Sequence, residues 1–153
     1  MERAIILNNI RSVYNVGSIF RTADASGVSK IYLVGITPTP TDRFGRKRKD
    51  FAKVALGAEE SIIWQYSKDI FSVIENLREE GFKIVAVEQE KNSTDFRKLK
   101  KHTKTCFIFG SETEGLSKEI LKKVDEVVEI PMLGKKESLN VSVAVGVILY
   151  SCV

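Results

Sequence analysis

Histidine occurs once in this chain, at His102, and cysteine twice, at Cys106 and Cys152. A lone histidine set among lysines removes support for triad or zinc chemistry built on that residue, and no metal is expected. The two cysteines lie in apolar stretches without metal-like spacing, which points to buried, reduced thiols and a cytoplasmic setting. Long apolar runs are missing as well. The best of them, Val141 to Val153, falls short of the roughly 20 residues that span a bilayer, so no membrane association is expected. Met1-Glu2-Arg3 leads straight into a strand-like run with no signal-peptide pattern. There is no internal repeat, low-complexity tract or interdomain linker, and 153 residues at 43% hydrophobic content suit one domain with its own core.

What is present is an alternation. Short β-branched runs at Ala4–Leu7, Lys30–Val34, Ser61–Tyr66, Lys83–Val87, Thr105–Phe109 and Glu126–Ile130 read as strands. Helical spacing covers Val16–Ser26, Lys68–Glu80, Ser117–Lys123 and Val141–Tyr150. This pattern predicts an α/β fold with a mostly parallel sheet flanked by helices, and ligands at the carboxyl ends of the strands. The stretch from about Gly35 to Asp50 is longer than a typical connection and is functional or mobile.

The net charge is +4, mild in itself, but its placement is not. Arg43, Arg46, Lys47, Arg48, Lys49 and Lys53 crowd one stretch, and Arg97, Lys98, Lys100, Lys101 and Lys104 another. Both are candidate phosphate contacts, against the plainer reading of solvated, solubilising loops.

Three loops carry the chemistry. In the first helix Val16, Ile19, Phe20 and Ala23 form the buried stripe, turning Gly17, Arg21 and Asp24 onto another face. Asn15 is placed to cap this helix, and Gly17 admits a ligand or a neighbouring backbone near its positive end. Arg21 and Asp24 could equally form a surface pair. After the fifth strand, Gly110-Ser111-Glu112-Thr113-Glu114-Gly115-Leu116-Ser117 sets carboxylates between glycines, with Ser117 placed to cap the next helix. Its acidity argues against phosphate and for a hydroxyl-bearing or cationic ligand, unless Glu112 and Glu114 are plain turn residues. Last, Ile130-Pro131-Met132 ends a strand at a proline and Gly134 permits a turn, before Ser138 or Asn140 caps the final helix. Such a loop leaves backbone donors and acceptors free for a small molecule with an adenine-like edge.

In this order, Asn9 to Ala23, Gly110 to Ser117, and Ile130-Pro131-Met132 with Ser138-Leu139-Asn140-Val141-Ser142 resemble the three motifs of the SpoU/TrmH-type RNA ribose 2′-O-methyltransferases of the SPOUT superfamily. Lys53 to Ala58 resembles a further stretch common in that family. The resemblance implies a C-terminal trefoil knot, which neither composition nor periodicity reveals and which general topology rules disfavour. It also implies a homodimer and S-adenosylmethionine (SAM) as cofactor, held by Val87, Glu88, Gly110, Ile130, Ser138 and Leu139. The catalytic set it implies is Arg21, Asn15, Glu112, Ser138 and Asn140, with Arg21 supplied by the partner subunit. The substrate would be a ribose 2′-hydroxyl in tRNA or rRNA. Residues 1–153 would be a single catalytic domain without an appended RNA-binding domain, so the RNA would be gripped through Arg11, Arg43, Arg46, Lys47, Arg48 and Lys49. The competing reading is a noncatalytic RNA-binding module that has kept the fold.

Overall fold

The computed structural model describes residues 1–153. Seven strands form one sheet in the order β3-β2-β1-β6-β4-β7-β5, and every pairing is parallel. The strands are β1 (Glu2–Asn8), β2 (Lys30–Val34), β3 (Ile63–Ser67), β4 (Lys83–Val87), β5 (Thr94–Asp95), β6 (Lys104–Phe109) and β7 (Glu126–Glu129). The helices are α1 (Val13–Ser26), α2 (Lys49–Ala55), α3 (Ala58–Ser61), α4 (Ile70–Glu79), α5 (Lys118–Leu121) and α6 (Val141–Ser151).

Alternation along the strands divides the core in two. Ile5, Leu7, Ile31, Leu33, Phe107 and Phe109 face a cluster that includes Val16, Ile19 and Phe20 of α1, Phe51 of α2 and Val145, Ile148 and Leu149 of α6. Ala4, Ile6, Val34, Ile84, Cys106 and Ile108 face the opposite cluster with Ile70, Val73, Ile74 and Leu77 of α4. Side chains of period two thus separate α1, α2 and α6 from α4, as a two-sided parallel sheet requires. Full burial of Val16, Ile19 and Phe20 is worth about 5–9 kcal/mol at the usual 1.5–3 kcal/mol per large apolar side chain.

The predicted strands and long helices all form, with shifted boundaries. α1 starts three residues earlier than its apolar stripe, because the cap is Ser12 and not Asn15: the Ser12 hydroxyl accepts from the Asn15 N–H at 3.1 Å. β3 begins at Ile63, since Ser61 closes α3. The helices α2 and α3 and the two-residue strand β5 have no sequence counterpart in the periodicity, being too short to show one. Ser117 and Asn140 cap α5 and α6 as expected, accepting from the N–H groups of Ile120 (3.3 Å) and Ser142 (2.9 Å).

Two further devices shape the carboxyl end of the sheet. The buried Thr37 hydroxyl donates to the carbonyls of Val34 (2.7 Å) or Leu7 (2.9 Å) and accepts from the Ile10 N–H (3.1 Å), tying the exits of β1 and β2 together. Gly17 meets α2: a Cβ there would lie 3.0 Å from Val54 Cβ and 3.3 Å from the Phe51 carbonyl oxygen. The missing side chain therefore serves a helix crossing and not a bound ligand.

Candidate functional site

A cleft of about 680 Å³ opens at the carboxyl ends of β4, β6 and β7. Val87 and Glu88 leave β4, Gly110 to Gly115 leave β6, and Glu129, Ile130 and Met132 leave β7; Glu137 to Val141 and Ala144 close it from the start of α6. All six residues expected to hold a cofactor, Val87, Glu88, Gly110, Ile130, Ser138 and Leu139, line this one space. Glu112, Ser138 and Asn140 of the expected catalytic set line it too.

Its loops are packed to a tight tolerance. A Cβ on Gly110 would sit 2.6 Å from the Gly115 carbonyl carbon, so the strand exit runs directly against the returning loop. Gly115 has φ +64°, and a Cβ there would overlap the Glu88 carboxylate. Glu88 in turn accepts from the Leu116 N–H at 2.9 Å and from the Gln89 N–H at 3.0 Å. The acidic loop and the β4 exit are thereby one unit.

The three motif loops meet through side chains. Glu112 accepts from the backbone N–H groups of Arg11 (3.3 Å) and Ser12 (3.5 Å) and from the Asn15 amide (3.4 Å). The Asn15 carbonyl oxygen accepts from the Asn140 amide at 3.2 Å, and the Asn140 oxygen caps α6. Partial burial pushes the Glu112 carboxyl up, but the N–H groups of its own backbone and of Arg11, the Asn15 amide and the Ser12 N–H outweigh it and hold the carboxyl below its ordinary value. Asn15, only 7% exposed, is a bridge behind the cleft wall in place of the helix cap.

The charge of the cleft is one-sided. Glu88, Glu112, Glu114, Glu129 and Glu137 line it, and no lysine or arginine does. An apolar floor of Val87, Phe109, Ile130, Val141 and Ala144 accompanies them. This set of acceptors repels phosphate and suits a ligand with a flat apolar part, hydroxyls or amines, and positive charge. SAM has all three.

Arg21 is the one expected catalytic residue whose side chain neither lines the cleft nor hydrogen-bonds to a residue that does. It is exposed and lines no part of this cleft. The alternative Arg21–Asp24 pair does not form either, as Asp24 accepts from the Ser61 hydroxyl at 2.7 Å.

The basic residues are only partly free. Arg46 pairs with Asp42 (2.9 Å), Lys47 with Glu60, and Arg48 with Asp50 (2.8 Å). Arg11, Arg43 and Lys49 have no carboxylate partner, and the Arg11 backbone places that residue beside Glu112 at the cleft rim. Sequence reasoning missed Glu129 and Glu137 as cleft residues, although each flanks a motif position, and gave Met132 no role of its own although it lies within a motif. It also missed Ser12, whose hydroxyl signals a cap as strongly as Asn15 does.

With this geometry in view, the comparisons with known proteins are direct. The SpoU rRNA Methylase family matches residues 2–150. The tRNA (guanosine(18)-2′-O)-methyltransferase of Escherichia coli K12 is 32% identical over 149 residues, covering 97% of this chain and 62% of that protein. Among solved structures, the A. aeolicus TrmH/SpoU tRNA modifying enzyme superposes with a TM-score of 0.84 at 30% identity, over 99% of this chain and 73% of that one. An AdoMet-bound rRNA methyltransferase from Sinorhizobium meliloti gives 0.87 at 30% identity, over 99% of this chain and 55% of that one. The chain spans about three-fifths of the length of the sequence relatives it matches. From its first strand to its last helix, the chain belongs to the SpoU rRNA Methylase family.

Proposed function

We propose that this chain is a SAM-dependent RNA 2′-O-ribose methyltransferase acting on tRNA or rRNA as a homodimer. The observation that carries the reading is the convergence of the six expected cofactor residues on one cation-free cleft, with Glu112, Asn15 and Asn140 joining its walls. When bound, SAM supplies an electrophilic methyl group on a sulfonium.

The protein's own work is alignment. Val87, Ile130 and Leu139 give the apolar faces of the cofactor site and Gly110 lets the β6 exit come close. The glutamates favour a sulfonium over its neutral product. A ribose 2′-hydroxyl is a weak nucleophile, so holding it in line with the methyl and easing loss of its proton are the main tasks. Arg21 grips the adjacent phosphate and the developing alkoxide through its guanidinium fork instead of acting as a base. Glu112 orients the substrate side, Asn15 holds Glu112, and Ser138 and Asn140 shape the cofactor loop.

A cation-free cleft and an arginine outside it support a site completed by a second copy, which would present its Arg21 across the interface. The apolar exposure of Tyr14 on α1 and of Val143 and Tyr150 on α6 supports the same two helices as the dimer contact. The C-terminal knot belongs to this proposal too. β7 lies between β4 and β5, strands joined by a single connection, and the chain then crosses to the α1 face as α6, as a threaded C-terminus needs.

Calorimetry with SAM and transfer of labelled methyl to total tRNA and rRNA test the reading. SAM binding and ribose-linked label are expected, with Arg21→Ala abolishing transfer while leaving SAM affinity within a few fold. Turnover retained by Arg21→Ala would sink its role. Salt-sensitive RNA binding without any SAM binding would make the chain a noncatalytic RNA module.

A further inference from the structure

Charge alone does not account for the tip of the basic stretch after β2. Residues 41–47 fold back as a hairpin closed by an antiparallel bridge between Thr41 and Lys47. Asp42 organises the turn. Its carboxylate accepts from the N–H groups of Phe44 (2.8 Å) and Arg46 (3.0 Å) and from Arg46 Nε (2.9 Å), while its own N–H donates to the Arg46 carbonyl at 2.8 Å. At the base, the Arg48 N–H donates to the Pro40 carbonyl at 2.9 Å. The Arg46 N–H, set against a smaller desolvation cost, holds the Asp42 carboxyl below its ordinary value.

This ordered tip presents Phe44, 67% exposed and outside both core clusters. Two guanidinium groups lie over its ring, Arg43 at 4.8 Å and Arg46 at 5.0 Å from the centroid. Arg46 is anchored by Asp42, whereas Arg43 has no carboxylate partner and is free to leave the ring. A rigid exposed aromatic with one fixed and one free cation fits a nucleotide whose base stacks and whose phosphate attracts the free arginine. Duplex RNA keeps its base faces covered, and an acidic peptide would use the cations while ignoring the ring.

We propose that Phe44 is a stacking platform for one unpaired base of the RNA, with Arg43 moving onto the neighbouring phosphate. The inference rests on the RNA-methyltransferase reading for the presence of RNA, and it locates where an unpaired nucleotide is gripped outside the cleft.

Fluorescence anisotropy of the 153-residue chain tests it, with labelled oligouridine as the unpaired probe and a mixed-sequence RNA duplex as the paired one. Phe44→Ala and Phe44→Leu are expected to weaken oligouridine binding about five- to a hundredfold, with Phe44→Tyr within about twofold of wild type and duplex binding little changed. The salt slope should stay constant in the Phe44 variants and fall by about one contact in Arg43→Ala. Wild-type affinity in Phe44→Ala, leucine serving as well as phenylalanine, an equal loss on the duplex, or no oligouridine binding by wild type would each overturn the proposal. SAM calorimetry on the same samples separates the failures: loss of SAM binding by wild type removes the methyltransferase reading, whereas the platform stands or falls on the anisotropy.

Discussion

Replacing Asn15 by aspartate changes almost no volume and inverts one contact. The new side chain still accepts from the Asn140 amide, 3.2 Å away, but the group that donated to Glu112 becomes a carboxylate oxygen 3.4 Å from another. At that distance two unit charges repel by about 1–2.5 kcal/mol for effective dielectric constants of about 80 to 40, as befits a Glu112 that is largely solvated. Adding the lost hydrogen bond to a charged acceptor brings the total to about 2.5–5.5 kcal/mol. In a domain of this size that lowers the melting temperature by about 5–20 °C at neutral pH. The pH dependence fixes the cause. In the variant the two carboxylates repel, so the pair takes up its first proton at a pH above the unfolded value of about 4, and the deficit shrinks as pH falls through that raised value. In the wild type the Glu112 carboxyl is held low, so its contribution is present above the unfolded pKa and is lost on acidification. Both effects close the gap in acid. Thermal melts of the two proteins at neutral pH and near pH 4.5 measure it, and equal stability at neutral pH, or a deficit unchanged in acid, would refute the Glu112–Asn15 link.

Two other substitutions read separate parts of the site. Thr37→Val leaves the buried Ile10 N–H without its acceptor and should cost about 1–3 kcal/mol in urea unfolding, with Thr37→Ser recovering most of it. SAM affinity should be unchanged in that variant, since Thr37 lies outside the cleft. Gly115→Ala forces a side chain into a φ of +64° and into the Glu88 carboxylate; SAM affinity by calorimetry should drop at least about tenfold, and wild-type affinity there would contradict the tight loop packing.

The parallel α/β class was legible because six of seven strands carry runs of β-branched and aromatic residues, buried on both faces in β1, β2 and β6. β5 was not, since two residues such as Thr94–Asp95 carry no period. The loops expected to hold the cofactor were legible through their motifs, and the fold brings those residues to one cleft. The role of Asn15 was misread because capping is a local rule, and Ser12 satisfied it first; only the fold brings Glu112 and Asn140 to the amide left over. Similarly, a count of cations in the 43–49 stretch overstates its free charge, because Asp42, Asp50 and Glu60 neutralise three of them across turns and helices that periodicity does not foresee.

Glu112 joins Arg11 and Ser12, 101 and 100 residues away along the chain, and Asn15 joins Asn140 across 125. β1 sits mid-sheet with one edge waiting for β6, some 96 residues later. At ordinary translation rates of about 5–20 residues per second, that edge stays open for roughly 5–20 s on the ribosome. During that time the cleft does not exist, so a ligand of the cleft has nothing to bind. Only a chain made through α6 can gain ligand stabilisation, and a product interrupted before β6 also keeps an unpaired apolar strand that marks it for chaperones and proteases.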